Sequence, residues 1–207
     1  AWYGGQELSQ DGTFRGATLD EALSSACGEL RARVGELHYE VQSDADGGGG
    51  VVIHAEVDPV AVLGLFLSET FRAGDLELSA QLTPGNESLD GELSGGDQRI
   101  LTGSGGRGLD ALQYLCNRVL TRRLPGHPPV HLDTDGFKAR RAVLLRERAE
   151  AAADEALSKR SSVVLGPLTP AARREIHLAL ADDPGVETES DGEGFLKRVV
   201  IRPRRRR

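Results

Sequence analysis

Residues 101–119 read LTGSGGRGLDALQYLCNRV, and this stretch decides the fold because a glycine-rich loop runs directly into a helical pattern. Two ligand-binding interpretations are open. Gly103, Gly105 and Gly108 fit G-x-G-x-x-G, the spacing of a dinucleotide-binding loop. Gly103 and Gly106 also fit G-x-x-G, at which a nucleic-acid backbone can pass close to the chain. A third interpretation is a flexible turn between two helices.

The residues around the loop disfavour a dinucleotide-binding fold. Such a fold needs a buried apolar strand before the glycines, and SGGDQRIL (94–101) is too polar for one. No second βαβ pattern follows, although Asp133 stands about 25 residues past the loop, near the expected place of a ribose-binding carboxylate. A G-x-x-G loop between two helices fits the sequence better than a dinucleotide-binding fold, since the second helix offers free N–H groups to a phosphate.

Residues 58–136 as a whole predict a compact α+β module. Asp58 and Pro59 supply an N-cap and a first-turn proline for a helix that runs to about Arg72. Alternating apolar residues then predict strands, and the spacing of leucines around the glycine loop predicts helices. The expected elements after the first helix are strands 75–82 and 88–94, helices 98–101 and 109–123, and strand 129–136.

The glycine loop and the helix after it resemble the KH domain of the Jag family, the bacterial SpoIIIJ-associated proteins. In that family the region reads close to L-I-G-x-x-G-x-T-L-D-A-L-Q-Y-L-x-N-R-V. This chain keeps both glycines, the LDALQYL run and the NRV ending, but Thr102 and Gly108 replace an apolar residue and a capping Thr. The usually basic loop positions are Ser104 and Gly105, which weakens the attraction for phosphate and its salt dependence.

That resemblance implies a type II KH domain that holds single-stranded RNA at its loop. It implies nucleic-acid contacts from Gly103, Ser104, Gly105, Gly106, Arg107, Arg118 and Arg122.

The most specific stretch runs from Thr169 to Pro203. Arg173 and His177 are four residues apart on a predicted helix and share one face. They resemble the R-x-x-x-H signature of a domain that binds single-stranded nucleic acid, and the flanking residues resemble the Jag-family version almost continuously. A guanidinium can fork onto a phosphate and an imidazole can hydrogen-bond or stack. We expect the same positive face to include Arg174, Lys197, Arg198 and Arg202. In the structural alternative, His177 only bonds a backbone carbonyl and orients the sheet.

The remaining segments complete an α+β fold class. Residues 13–57 predict a small β-α-β-β unit, which resembles the N-terminal unit of the Jag family only weakly. The expected order is a tail (1–12), this unit (13–57), the KH domain (58–136), a connecting helix (137–160), the R-x-x-x-H domain (161–203) and a basic tail (204–207).

Charge is divided unevenly along the chain. The net charge is −7, yet the first 100 residues carry 18 acidic and 5 basic side chains, whereas the remaining 107 carry 14 acidic and 20 basic ones. A polyanion would therefore bind the second half.

Sequence motifs of catalysis and metal binding are missing. There is no H-E-x-x-H, no Walker loop and no paired cysteine ligands, so we expect neither an enzyme nor a cofactor or metal. Cys27 and Cys116 are expected to be buried, reduced thiols. No apolar run approaches the roughly 18 residues of a membrane span and no signal segment opens the chain, so we expect a cytoplasmic protein.

The resemblance thus implies a regulatory protein that binds single-stranded RNA without catalysis, with single-stranded DNA left open as a ligand. The resemblance further implies links to cell elongation and division, to a membrane insertase and the cell-wall machinery, and to a small single-KH partner protein. The alternative is a protein-interaction scaffold whose KH loop has lost RNA binding, which the uncharged pair Ser104 and Gly105 permits.

Overall fold

The computed structural model describes residues 10–42, 50–85 and 87–204, and it confirms the α+β class. Most of the two predicted tails and most of the glycine-rich connection at 43–50 lie outside the described residues. The chain divides into two compact units. The first comprises Ala1–Asp97 with Gln113–Leu132, and the second comprises Gln98–Leu112 with Asp133–Arg207.

The first unit opens with a three-stranded antiparallel sheet and a helix. The elements are β1 (Asp11–Gly16), α1 (Leu19–Leu30), a single 3-10 turn (Val34–Glu36), β2 (Leu37–Gln42) and β3 (Val51–Val57). The strand order is β1-β3-β2. Thr18 Oγ1 accepts a hydrogen bond from the N–H of Glu21 at 3.3 Å and so caps the start of α1. The β-α-β-β order is as predicted, but its first strand starts at Asp11, inside the segment expected to be a tail.

A second sheet in this unit has the order β4-β5-β6. The elements along this stretch of the chain are α2 (Pro59–Ala73), β4 (Leu78–Pro84), β5 (Leu89–Gly95), α3 (Gln98–Arg123) and β6 (Val130–Asp133). Residues 98–112 of α3 belong to the second unit. Asp58 Oδ1 accepts from the N–H of Val60 at 2.8 Å and caps α2 as predicted. Asn117 of α3 binds both backbone groups of Val130, because its Oδ1 accepts from the N–H at 3.0 Å and its Nδ2 donates to the carbonyl at 3.1 Å.

An ion pair between a half-buried arginine and a buried carboxylate joins the end of α3 to the 3-10 turn. Both Nη atoms of Arg123 donate to the carboxylate of Glu36, at 2.7 and 2.8 Å, and Glu36 is only 1% exposed. Burial alone raises the pKa of Glu36, but hydrogen bonds from Arg123 and from the N–H of Arg33 outweigh it and hold the pKa below its usual value. The carboxylate is therefore ionised at neutral pH.

The glycine loop interrupts α3 where the sequence predicts it. Residues 103–106 leave helical geometry, with Gly103 extended (φ −58°, ψ 158°) and Ser104, Gly105 and Gly106 at φ of 52°, 73° and 82°. The segment before the loop is a short helix and not a strand, which agrees with the expectation against a dinucleotide fold.

The second unit continues with α4 (Phe137–Lys159), β7 (Val163–Leu168), α5 (Pro170–Ala179), β8 (Val186–Asp191) and β9 (Lys197–Pro203). Its antiparallel sheet has the order β7-β9-β8. The core includes an alanine-rich face of α4, so the helix expected to connect two domains packs into this module. The core residues on α4 are Leu145, Ala149, Ala152, Ala153 and Ala156. Among the described residues, no helix combines the length and apolarity needed to cross a membrane.

Candidate nucleic-acid interface

The R-x-x-x-H pair lies on α5, whose start is fixed by the N-cap residue Thr169. Thr169 Oγ1 accepts from the N–H of Ala172 at 3.2 Å, and Pro170 occupies the first turn. Arg173 Nη1 then donates to Ser190 Oγ on β8 at 3.0 Å. The ring of His177 reaches the same hydroxyl through Nε2 at 3.0 Å. The two signature side chains therefore converge on Ser190.

His177 is held on both ring nitrogens and is neutral near pH 7. Its Nδ1 lies 2.7 Å from Thr188 Oγ1, so its partners are two hydroxyls of β8 and not the backbone carbonyl of the structural alternative. Burial, together with the positive charge of Arg173, lowers the pKa of His177 below its usual value near 6.5. The Nε of Arg173 is buried and has no hydrogen-bond partner among the described residues, so its donor capacity is not fully used.

The expected single positive face is wrong for Arg198 and Arg202. Side chains alternate along β9, and Val199 and Ile201 point into the core under α5, so their neighbours point to the opposite face of the sheet. There Arg198 pairs with Asp191 at 3.0 Å, and Arg202 pairs with Glu189 at 2.7 Å. The same alternation places Lys197 on the side of α5, and Arg174 is exposed on the helix itself. Whether any of these four binds nucleic acid stays a prediction.

The glycine loop exposes Gly103, Ser104 and Gly105. A Cβ built on Gly103 or Gly105 would meet no atom within 4 Å, so this side of the loop has room for a ligand. Arg107, at the start of the following helix, is also exposed. The free N–H groups of a helix start next to an arginine suit a phosphate.

Gly106 is different, because α4 covers it. A Cβ on Gly106 would stand 2.5 Å from Nη1 of Arg141 and closer still to Cε1 of Phe137. The same guanidinium donates to the carbonyl of Gly105 at 3.2 Å and lies 5.5 Å from the centre of the Phe137 ring. The second glycine of G-x-x-G is therefore required by a contact within the protein.

Sequence reasoning missed a groove beside the loop. It has a volume of about 410 Å³ and is lined by Gln98, Arg99, Thr102, Gly103, Thr134, Asp135, Phe137 and Arg140. Arg140 is bonded to the backbone carbonyl of Asp135. An aromatic ring flanked by two arginines is a surface on which a base can stack and a phosphate can bind. The only sequence signal for this groove was the pairing of an aromatic and a basic residue, Phe137 and Arg140, in the first turn of α4. Such a pairing is common in helices and does not indicate a binding site.

Two other predicted residues belong to the first unit. Arg118 and Arg122 are exposed on α3 and line, with Phe66, Leu115 and Val119, a groove of about 520 Å³. The predicted loop residues 103–107 belong to the second unit. The predicted set is therefore divided between the two units.

No cluster in the described ranges is suited to hold a metal ion by three or more His, Cys, Asp or Glu side chains. Burial raises the pKa of the Cys116 thiol to about 12, which makes it an unreactive core residue. Cys27 is half-buried and not fully buried as expected, and burial together with the charge of Glu36 raises its pKa.

Comparison with known protein families matches residues 143–203 to the R-x-x-x-H domain, which is named for an arginine and a histidine with three residues between them. Three relatives are named RNA-binding protein KhpB. The protein of Clostridium symbiosum is 31% identical over 201 residues, which cover 91% of this chain and 90% of that protein. The Bacillus subtilis protein is 24% identical over 204 residues, which cover 93% of this chain and 98% of that protein. The Lactiplantibacillus plantarum protein is 35% identical over 104 residues, half of this chain and 32% of that protein.

Proposed function

The chain belongs to the Jag family, which includes the KhpB proteins, and on that premise we propose that it binds single-stranded RNA without catalysing a reaction. The proposal names two contact surfaces, the Arg173 and His177 face of α5 and the glycine loop. Two weak sites on one chain bind a strand more tightly than either alone, because the second contact is intramolecular once the first is made.

The convergence of Arg173 and His177 on Ser190 carries the proposal. The hydroxyl holds a guanidinium and an imidazole side by side on one half-buried surface. Their positions are set before a ligand arrives, so little side-chain entropy is lost on binding. A phosphate beside Arg173 would accept hydrogen bonds from the guanidinium, and a base would stack on the planar groups.

We further propose that residues 58–136 form a type II KH domain. Two observations support this. The elements follow in the order α2, β4, β5, α3 with its glycine break, and β6. The loop is also open on one side, at Gly103 and Gly105. The groove with Arg99, Phe137 and Arg140 would take a nucleotide next to the loop. With Ser104 and Gly105 in place of loop cations, this site contributes less charge than the R-x-x-x-H face.

The second candidate is the interaction scaffold, and one observation favours it. Arg141 already donates a hydrogen bond to the carbonyl of Gly105, and the loop carries no cation between Gly103 and Gly106. Links to cell elongation, to a membrane insertase and to a small single-KH partner protein are also proposals, and only the family resemblance supports them.

Fluorescence anisotropy with a labelled mixed-sequence single-stranded RNA tests the proposal. We expect Arg173→Ala/His177→Ala in the full chain to weaken binding by about tenfold or more, the usual cost of losing a charged contact and a stacking group. The matched control is Arg148→Ala on the exposed side of α4, which should change affinity by less than about threefold. Wild-type affinity in the double variant would remove this face from the site. Failure of the wild-type chain to bind at low salt would overturn the RNA proposal and favour the scaffold.

A further inference from the structure

A continuous chain of polar contacts runs from the glycine loop to the start of α5. Arg141 Nη1 donates to the carbonyl of Gly105 at 3.2 Å and to Asp110 Oδ2 at 2.9 Å. Its Nη2 donates to Asp110 Oδ1 at 3.0 Å. Asp110 Oδ2 also accepts from the hydroxyl of Thr169 at 2.5 Å, and Thr169 is the N-cap of α5.

The three side chains of this link are buried, so their geometry is tightly set. Asp110 is 6% exposed, Arg141 is 8% exposed and Thr169 is 2% exposed. A buried ion pair is tolerated only when its charges are well paired and its remaining lone pairs are satisfied. Here the carboxylate accepts three hydrogen bonds, and the guanidinium reaches both the carboxylate and the loop.

Each end of the link lies in a proposed RNA contact surface. At one end, Arg141 and Phe137 fill the space over Gly106 and hold the carbonyl of Gly105. At the other end, Thr169 sets the first turn of α5, and Arg173 follows one turn later. None of the three linking side chains needs to touch RNA for its loss to change how the two surfaces are presented.

We infer that Asp110, Arg141 and Thr169 are positioning residues that couple the glycine loop to the R-x-x-x-H helix, so that RNA contact at one surface changes the affinity at the other. The inference rests on the proposed function. A strand that shifts the carbonyl of Gly105 moves the guanidinium of Arg141, which is shared with Asp110. Because Asp110 also holds the hydroxyl that caps α5, the shift reaches the helix that carries Arg173 and His177.

A double-mutant cycle on the full chain measures this coupling. The loop is perturbed by Arg107→Ala and the helix by Arg173→Ala/His177→Ala, separately and together, and Kd is measured for one single-stranded RNA. The coupling factor is the product of the wild-type and combined Kd values divided by the product of the two separate ones. We expect it to differ from one by about fivefold or more, the usual range for coupled sites.

Two variants break the link at different points. Arg141→Lys keeps a positive charge beside Asp110, but an ammonium cannot fork onto a carboxylate and also hold the carbonyl of Gly105. Thr169→Gly removes the hydroxyl and leaves a residue that helix N-caps tolerate. Repeating the cycle in either background should bring the coupling factor to within about twofold of one. Arg148→Lys, on the exposed side of α4, is the matched control and should leave the factor unchanged.

The outcomes separate this inference from the function on which it rests. Binding that the loop and helix variants weaken independently, with a coupling factor near one in the wild type, supports the function and overturns the coupling. A factor that Arg141→Lys and Thr169→Gly leave unchanged also overturns it, because the coupling then travels by another route. Absence of RNA binding by the wild-type chain overturns both.

Discussion

Single alanine substitutions in the glycine loop show which glycine is needed because other side chains pack against it. The measured quantity is the free energy of unfolding. Gly106→Ala places a methyl group 2.5 Å from Nη1 of Arg141, in a backbone with φ of 82°. An L residue in the left-handed region costs about 1–2 kcal/mol, and overpacking costs about 1–3 kcal/mol. The free energy of unfolding should therefore fall by about 2–5 kcal/mol.

The other two glycines are internal controls for that value. Gly105→Ala meets no atom but shares a positive φ of 73°, so it should lose only the backbone cost of about 1–2 kcal/mol. Gly103→Ala has φ of −58° and open space, and it should change stability by less than about 1 kcal/mol. Urea unfolding followed by far-ultraviolet circular dichroism gives all three differences.

Two results would refute this reasoning. If Gly105→Ala costs as much as Gly106→Ala, backbone conformation alone accounts for the loss and the packing of Phe137 and Arg141 does not matter. If Gly106→Ala costs no more than Gly103→Ala, the start of α4 does not cover the loop. In support, Phe137→Ala should recover part of the loss in a Gly106→Ala background, because it removes the ring that the new methyl group meets.

Four further predictions concern individual side chains. Arg123→Ala leaves the buried carboxylate of Glu36 without its main partner and should cost about 2–4 kcal/mol in urea unfolding, against less than about 0.5 kcal/mol for exposed Arg31→Ala. RNA binding should tighten as pH falls from 7.5 to 5.5, because a nearby phosphate raises the lowered pKa of His177 and promotes proton uptake. The same dependence of RNA affinity on pH in His177→Gln would contradict this. Without RNA, the same lowered pKa means that stability falls as pH drops below about 6.5, since the unfolded state takes up the proton first. Finally, an iodoacetamide assay at pH 8 should modify Cys27 before Cys116, whose pKa is about 12, and equal rates would contradict the burial of Cys116.

Local signals in the sequence were enough for most elements of the fold. The caps at Thr18, Asp58 and Thr169 act through bonds of a few residues' span, so residue type and spacing identify them. The break at residues 103–106 follows from glycine content in the same way. Spacing alone also placed Arg173 and His177 on one helix face, because i and i+4 are neighbours on any α-helix.

Contacts between distant residues could not be predicted in this way. The partners of Arg141 lie 31 and 36 residues away, and nothing in the local pattern of α4 distinguishes Arg141 from exposed Arg140. The error over Arg198 and Arg202 has a related cause. Strand alternation gives two faces but does not say which one α5 covers, and the burial of Val199 and Ile201 decides it.

The pairing of Arg198 with Asp191 and of Arg202 with Glu189 changes what the basic composition of the second half means for approach from solution. Each arginine already has an anion beside it, so a phosphate arriving at this face must replace a carboxylate of the same sheet. Such a replacement exchanges one anion for another, and the electric field that extends into solvent from this side is weakened. A count of arginines therefore overstates the long-range electrostatic attraction of a nucleic-acid strand. The rate of encounter should depend on the smaller set of cations that have no acidic neighbour.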